Sequence, residues 1–185
     1  MTDSIPRWAR EGRGHWHNTG TQRPPFALEP GPGQESVWDY PRPPRLEPDP
    51  REIIILWQGR IVARTTGAFR VLETASPPTF YLPPEDIETE FLRSVPGASR
   101  CEWKGEARYW SVTVEGEELS RVAWSYPDPF PEFAAIRDFI AFYPEPLVCT
   151  VGGERVTRQP GGFYGGWITP EVVGPFKGEP GTGGW

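Results

Sequence analysis

Cys-Glu-Trp-Lys-Gly-Glu-Ala-Arg-Tyr-Trp-Ser-Val-Thr-Val-Glu-Gly-Glu-Glu-Leu-Ser-Arg-Val-Ala-Trp-Ser-Tyr-Pro, residues 101–127, decides how the chain reads. Arg108–Val114 and Leu119–Ser125 alternate as strands, and Glu115-Gly116-Glu117 between them is a turn, so the stretch predicts a β-hairpin. Alternation places Tyr109, Ser111 and Thr113 on one face of the first strand and Trp110, Val112 and Val114 on the other, core-facing side. On the second strand Val122, Trp124 and Tyr126 share a face. Trp110 and Trp124 fit a packed core as well as an aromatic cage, and a cage would show as aromatic walls around a cleft with polar groups at its rim.

Upstream, Glu52–Trp57, a Gln58-Gly59 turn and Arg60–Thr65 predict a second hairpin, with Phe69–Glu73 and Thr79–Leu82 as further strands. Ser76-Pro77-Pro78 predicts a break, and Pro83-Pro84-Glu85-Asp86 a proline-led helical turn. Glu88–Ser94 reads as a strand ended by Pro96-Gly97. Downstream, Phe139–Tyr143, Leu147–Val151 and Glu154–Thr157 read as strands, the last two around Gly152-Gly153. Short strands with frequent turns and very little helix predict a mainly β protein of antiparallel sheets.

Pro (24) and Gly (21) make up nearly a quarter of the 185 residues and gather at the two ends. The predicted organisation is an extended Pro-rich arm over 1–50, a core over 51–157, and a Gly/Pro-rich arm over 158–185. Disordered tails are poor in aromatics, so Trp8, Trp16, Phe26, Trp38 and Tyr40 point to an N-terminal arm pinned onto the core, with Trp38 and Tyr40 as the surest anchors and the first twenty residues expected to be mobile. Trp38-Asp39-Tyr40-Pro41-Arg42-Pro43 echoes Trp124-Ser125-Tyr126-Pro127-Asp128-Pro129, and Trp103-Lys104-Gly105-Glu106 echoes Phe176-Lys177-Gly178-Glu179. Recurrent turn chemistry is one account of the first echo. Docking of both W-x-Y-P segments as a pseudo-symmetric pair is the other.

The formal charge of −6 has no basic stripe within it, which argues against nucleic-acid binding. No apolar run approaches the ~20 residues of a membrane span. No basic-then-apolar leader is visible at the start, so the expected location is the cytoplasm. Cys101 and Cys149 are too few and too far apart for a Cys-pair zinc site. His15-Trp16-His17 reads as a solvated segment, and no metal or other cofactor is expected. Neither a phosphate-binding glycine loop nor an Asp-x-Asp magnesium pair is present.

Basic residues are 17 Arg against two Lys, Lys104 and Lys177, so a lysine at Lys104 beside Trp103 stands out as a compact ammonium next to an aromatic wall. Glu73, which closes an apolar strand, is its candidate partner or a plain strand-end charge. Cys101 is a candidate thiolate nucleophile among Arg100, Lys104 and Arg108, although no histidine lies nearby in sequence to serve as its base. Cys149, within Leu-Val-Cys-Thr-Val, belongs to the core.

Val-Leu-Glu-Thr (71–74), Tyr-Leu-Pro-Pro-Glu-Asp-Ile (81–87), the C-x-x-K-G-x-A-x-Y-W run of 101–110, Ala-Trp-Ser-Tyr-Pro-Asp-Pro (123–129) and Ile-Ala-Phe-Tyr-Pro (140–144) together resemble a bacterial and fungal family of domains of unknown function, sometimes labelled nucleotidyltransferase. The resemblance covers about 52–157. It implies a β-tent, two antiparallel sheets meeting at an angle, as in B-type methionine sulfoxide reductases and the ligand-binding domain of cereblon. Many proteins of that fold hold zinc through two cysteine pairs, which this chain lacks, and the cereblon-type domain binds a small ring ligand in a tryptophan cage. No motif of nucleotidyl transfer accompanies the label.

The leading expectation is a binding module whose pocket takes a small cyclic molecule or a peptide end. Tyr81, Trp103, Tyr109, Trp124 and Tyr126 would form its walls, with Glu73, Cys101 and Lys104 as polar groups. The alternatives are an enzyme using Cys101 or Lys104, and an interaction protein whose Pro-rich arms bind a partner or a second copy of the chain.

Overall fold

The computed structural model describes residues 5–185. Where the sequence predicts only an extended arm, Arg7–Arg13 form a helix, α1. Seven residues are too few for a helix to be stable in water alone. Docking holds this one: Trp8 packs 6.1 Å from the Phe130 ring, and Arg13 donates to the Glu102 carbonyl at 2.8 Å.

The first strands are β1 (Glu35–Ser36), β2 (Arg45–Asp49), β3 (Ile53–Trp57), β4 (Arg60–Thr65), β5 (Ala68–Glu73) and β6 (Ser76–Tyr81). The middle of the chain supplies β7 (Leu92–Cys101), β8 (Gly105–Val114), β9 (Glu117–Ser125) and β10 (Ile140–Phe142). The last are β11 (Val148–Val151), β12 (Glu154–Arg155), β13 (Thr157–Arg158), β14 (Trp167–Ile168) and β15 (Val172–Val173). Two four-stranded antiparallel sheets, β10-β9-β8-β7 and β12-β11-β3-β4, carry the architecture, and a three-stranded antiparallel sheet, β2-β5-β6, lies beside them. The fold is mainly β, with several antiparallel sheets and no closed barrel.

Both predicted hairpins form. The turns at Gln58-Gly59 and Glu115-Gly116 hold both residues at positive φ, the geometry whose twist matches the flanking strands. Two predicted breaks do not occur. β6 runs through Pro77-Pro78, because these residues fall at the register irregularity opposite Val71–Glu73 on an edge strand, where no N–H is needed. β7 runs through Pro96-Gly97, which form a bulge between the pairs Val95↔Tyr109 and Ala98↔Arg108. Of the stretch read as a strand over 88–94, Thr89–Phe91 is a 3-10 turn and only Leu92 onward is strand.

The β8–β9 sheet is buried on both faces. Val112, Val114 and Ala123 join Ile53, Ile55 and Phe142 in the main core, with Trp110 packed at its margin. Ala107, Tyr109, Trp124 and Tyr126 form a second, aromatic cluster with Val71, Tyr81 and Phe133. A two-residue turn pairs Val114 with Glu117, so even-numbered residues of β8 face odd-numbered residues of β9. A register shift of two residues between Val112 and Trp110 keeps this parity and sets Trp110 opposite Ala123 and Trp124 across from Tyr109. Trp110 and Trp124 are on different faces and form neither a core pair nor a cage wall together.

Segments of both predicted arms fold onto this framework. Trp38 and Tyr40 are buried with Val37 and Leu72 in a third cluster. Val71 and Leu72 point to opposite faces of β5, so one W-x-Y-P segment covers each face of the same strand. β2, drawn from the predicted N-terminal arm, pairs along β5 from Arg45↔Leu72 to Asp49↔Ala68. From the C-terminal arm, Trp167 enters the main core and donates to the Phe142 carbonyl at 2.8 Å.

Candidate functional site

The turn between β7 and β8 consists of Glu102, Trp103 and Lys104, closed by the pair Cys101↔Gly105. Gly105 has φ +107°, and a Cβ there would lie 3.3 Å from the Asp128 carbonyl oxygen, so glycine lets the chain turn sharply just after Lys104. The Lys104 carbonyl accepts from Phe130 N–H at 3.1 Å, which fixes the turn against the segment after β9. The second K-G pair repeats the device: Gly178 has φ +132°, and its Cβ would meet the Pro160 carbonyl oxygen at 1.9 Å.

Both turns deliver their lysines to one cavity of about 200 Å³. Tyr81 from β6, Tyr109 from β8, Trp124 from β9 and Tyr126 just beyond form its inner aromatic wall. Glu73 and Cys101 also line it, so seven of the eight site residues expected from the sequence surround one space. Trp103 is the exception. Its ring is buried in the aromatic cluster beneath the Arg13 guanidinium, 5.1 Å from the ring centroid, and its indole N–H has no hydrogen-bond partner.

The walls are held by one another. Trp124 Nε1 donates to the Tyr81 hydroxyl at 3.3 Å, and the Tyr109 hydroxyl donates to Ser99 Oγ at 2.8 Å. The Tyr143 ring lies 4.7 Å from that of Trp124, and its hydroxyl donates to the Phe163 carbonyl. Burial raises the pKa of Tyr81 and, further, of Tyr126, while burial with Tyr109 nearby pushes Tyr143 up to about 12. All three are phenols at neutral pH. Tyr109, Tyr143, Phe163 and Tyr164 also border an adjoining, more open groove of about 670 Å³.

Lys104 is buried, with Nζ 5.9 Å from the Tyr126 ring centroid and 5.7 Å from that of Phe133. Burial alone would disfavour its charge, but Cys101, then Tyr81 and Glu73, offset that and hold its pKa above the ordinary lysine value. Glu73, the candidate partner of Lys104, is engaged elsewhere: Arg42 Nε lies 3.3 Å from its carboxylate, a charge contact without hydrogen-bond geometry. The Arg42 side chain is itself buried, stacks 4.3 Å over Trp16, and donates to the Asn18 and Thr74 carbonyls. Glu73 thus acts on Lys104 at a distance.

Several residues of the cavity were not picked out from the sequence as site residues: Trp16, Tyr143, Gln159, Tyr164 and Lys177. Trp16 is placed by its indole N–H bond to Glu102 at 2.8 Å. Gln159 clamps the C-terminal segment, accepting from Gly166 N–H and donating to the Lys177 carbonyl at 2.7 Å. Lys177 Nζ sits 3.7 Å from the Trp16 ring centroid and donates to the main-chain oxygen of Trp185 at 3.2 Å. Burial, with Arg42 adding to it, brings its pKa down to about 8. The rarity of lysine and the repeat of aromatic-Lys-Gly-Glu around the chain's two lysines were the signals available for Lys177.

Among the described residues no group of three or more His, Cys, Asp or Glu gathers as metal ligands, and no helix is long and apolar enough to cross a membrane. His15 lies outside the cavity, with Nδ1 2.8 Å from the Glu11 carbonyl oxygen.

No curated protein shows significant similarity to the chain. A family model described as a domain of unknown function, DUF427, matches residues 45–156, more than half of the sequence. Its first residue coincides with the start of β2, and its span includes the whole inner aromatic wall, Cys101 and Lys104, while Trp16, Tyr164 and Lys177 lie outside it. The chain belongs to the DUF427 family of domains.

Proposed function

We propose that the protein is a binding module for a small, flat, anionic ligand, either a cyclic acid or the carboxylate end of a peptide. The observation that carries this reading is buried Lys104 lining an aromatic-walled cavity with, among the described residues, no carboxylate within ion-pair distance of it. Glu73, the carboxylate that acts on Lys104, is shared with Arg42 at 3.3 Å, so a ligand carboxylate in the cavity would give the buried ammonium a direct partner. The cavity, at about 200 Å³, is smaller than the ~300–1,000 Å³ common for drug-sized ligands, which limits the inner site to a single ring. A peptide end would seat its last side chain there and run its backbone along the adjoining groove. Supporting polar groups are the Cys101 thiol and the phenols of Tyr81 and Tyr126.

Thermal shift and tryptophan-fluorescence titration with benzoate, nicotinate and a Gly-Gly-Trp tripeptide, on wild type and Lys104→Met, test the reading. A charge-assisted hydrogen bond contributes about 1.5–3 kcal/mol, so the variant should bind roughly 10- to 150-fold more weakly. Wild type that binds none of the three, or a variant that binds as well as wild type, would remove its basis.

A further inference from the structure

The chain's only two lysines line the same cavity, each set by a Lys-Gly turn, and their surroundings differ in kind. Lys104 is surrounded by groups that favour its charge. Lys177 Nζ lies over the Trp16 ring at 3.7 Å and the Tyr164 ring at 5.4 Å, contacts that favour its ammonium, while burial and the Arg42 cation oppose the charge and set the net direction. Glu73 and Glu102 act the other way on Lys177 but do not restore the usual lysine value. The hydrogen bond from Nζ to the main-chain oxygen of Trp185 uses one N–H and leaves the nitrogen lone pair of the neutral amine free. A desolvated amine next to another cation is the established recipe for a nucleophilic lysine.

We infer that Lys177 is a carbonyl-capturing amine, and that the ligand class is a small oxo acid whose carboxylate sits at Lys104 while its aldehyde or ketone carbon faces Lys177 Nζ. This deepens the binding reading above and rests on it. In the step, the Nζ lone pair forms a C–N bond to the carbonyl carbon and one Nζ proton passes to the carbonyl oxygen, giving a carbinolamine. That oxygen then leaves as water with the second Nζ proton as the C=N bond forms. No oxidant or reductant takes part. Lys177 is the weaker carboxylate anchor of the two and the better source of neutral amine, because burial and Arg42 bring its pKa down to about 8, whereas the neighbours of Lys104 hold its pKa above the ordinary lysine value.

The test is reductive trapping in the full-length protein with phenylpyruvate and, separately, 4-formylbenzoate, each with sodium borohydride, read by intact mass and peptide mapping. The expected result is one adduct per chain, heavier by the probe less one oxygen, located on Lys177 in wild type. It should be lost in Lys177→Arg, reduced at least 10-fold in Lys104→Met, and suppressed by excess benzoate. Mapping in the wild type guards against a variant that fails to fold. An adduct on Lys104, or equal labelling of both lysines and the N-terminus, overturns the inference. If benzoate binds by thermal shift and no adduct forms, carbonyl capture is wrong and the binding reading stands. If benzoate does not bind and no adduct forms, both fall.

Discussion

The loop Gly161-Gly162-Phe163-Tyr164-Gly165-Gly166 walls the cavity with Tyr164 and touches the open groove with Phe163, and it offers a sharp test of how the site is built. A Cβ on Gly165 would lie 2.1 Å from Trp124 Cη2 and 2.8 Å from Cζ3. Carbon atoms pack at about 3.5–4.0 Å, so Gly165→Ala must separate loop and ring by roughly 1.5 Å. Trp124 has little room to yield, since Tyr81 accepts from its indole and Tyr143 packs on its face. The loop therefore moves, taking Tyr164 with it. Overpacking of this kind costs ~1–3 kcal/mol, or roughly 0.5–1.5 M in urea midpoint for an m-value of about 2 kcal/mol/M. Gly162, in the same loop, has nothing within 4 Å of its would-be Cβ and no positive φ. Gly162→Ala should be neutral or stabilise by up to ~1 kcal/mol through the unfolded chain. Urea unfolding followed by tryptophan fluorescence, with a benzoate titration on each variant, distinguishes the two. If Gly165→Ala unfolds within ~0.5 kcal/mol of Gly162→Ala and binds equally, the loop does not pack on Trp124 as described.

Two further outcomes follow from the charges and thiols. Burial alone would raise the Asp49 pKa, but hydrogen bonds from Arg51, with Arg51 and Arg70 charges behind them, hold it below the usual carboxylate value. A depressed folded pKa stabilises above the unfolded value of about 3.9 and is lost as pH falls through the folded value. Asp49→Asn should thus lower stability at pH 7 and flatten its loss in acid below about pH 4; an unchanged acid limb in pH-dependent urea unfolding would refute this. Burial pushes the Cys149 thiol well above the ordinary range, whereas half-buried Cys101 opens on the cavity. Under native conditions iodoacetamide should modify Cys101 alone, more slowly in the presence of benzoate, and equal labelling of both thiols would contradict the burial of Cys149.

Strand alternation and two-residue turns are local, and for that reason the mainly β class and the Gln58-Gly59 and Glu115-Gly116 hairpins were legible from the sequence alone. Composition also singled out Lys104, because two lysines among 17 arginines is a fact of the sequence alone. Proline as a breaker was less transferable. Pro77-Pro78 and Pro96-Gly97 sit within strands, since an edge position and a bulge remove the need for their missing hydrogen bonds, and neither circumstance is written in the dipeptide. The face of Trp110 relative to Trp124 needed the hairpin register, which the turn sets but alternation along one strand does not.

What only the tertiary structure decided is which distant residues meet. Sequence alone determined that Lys104 and Lys177 share a motif; the cavity shows that they share a space, and that Trp16 and Tyr164 from the two ends of the chain close it. It also moved Glu73 from Lys104 to Arg42, and turned Trp103 away beneath Arg13. The physical reason is common to all of these. Local patterns specify backbone conformation and which face of an element is apolar. The partner of a buried charge or ring is chosen by how those faces pack and by the need to satisfy each buried polar group, and that is a property of the whole fold.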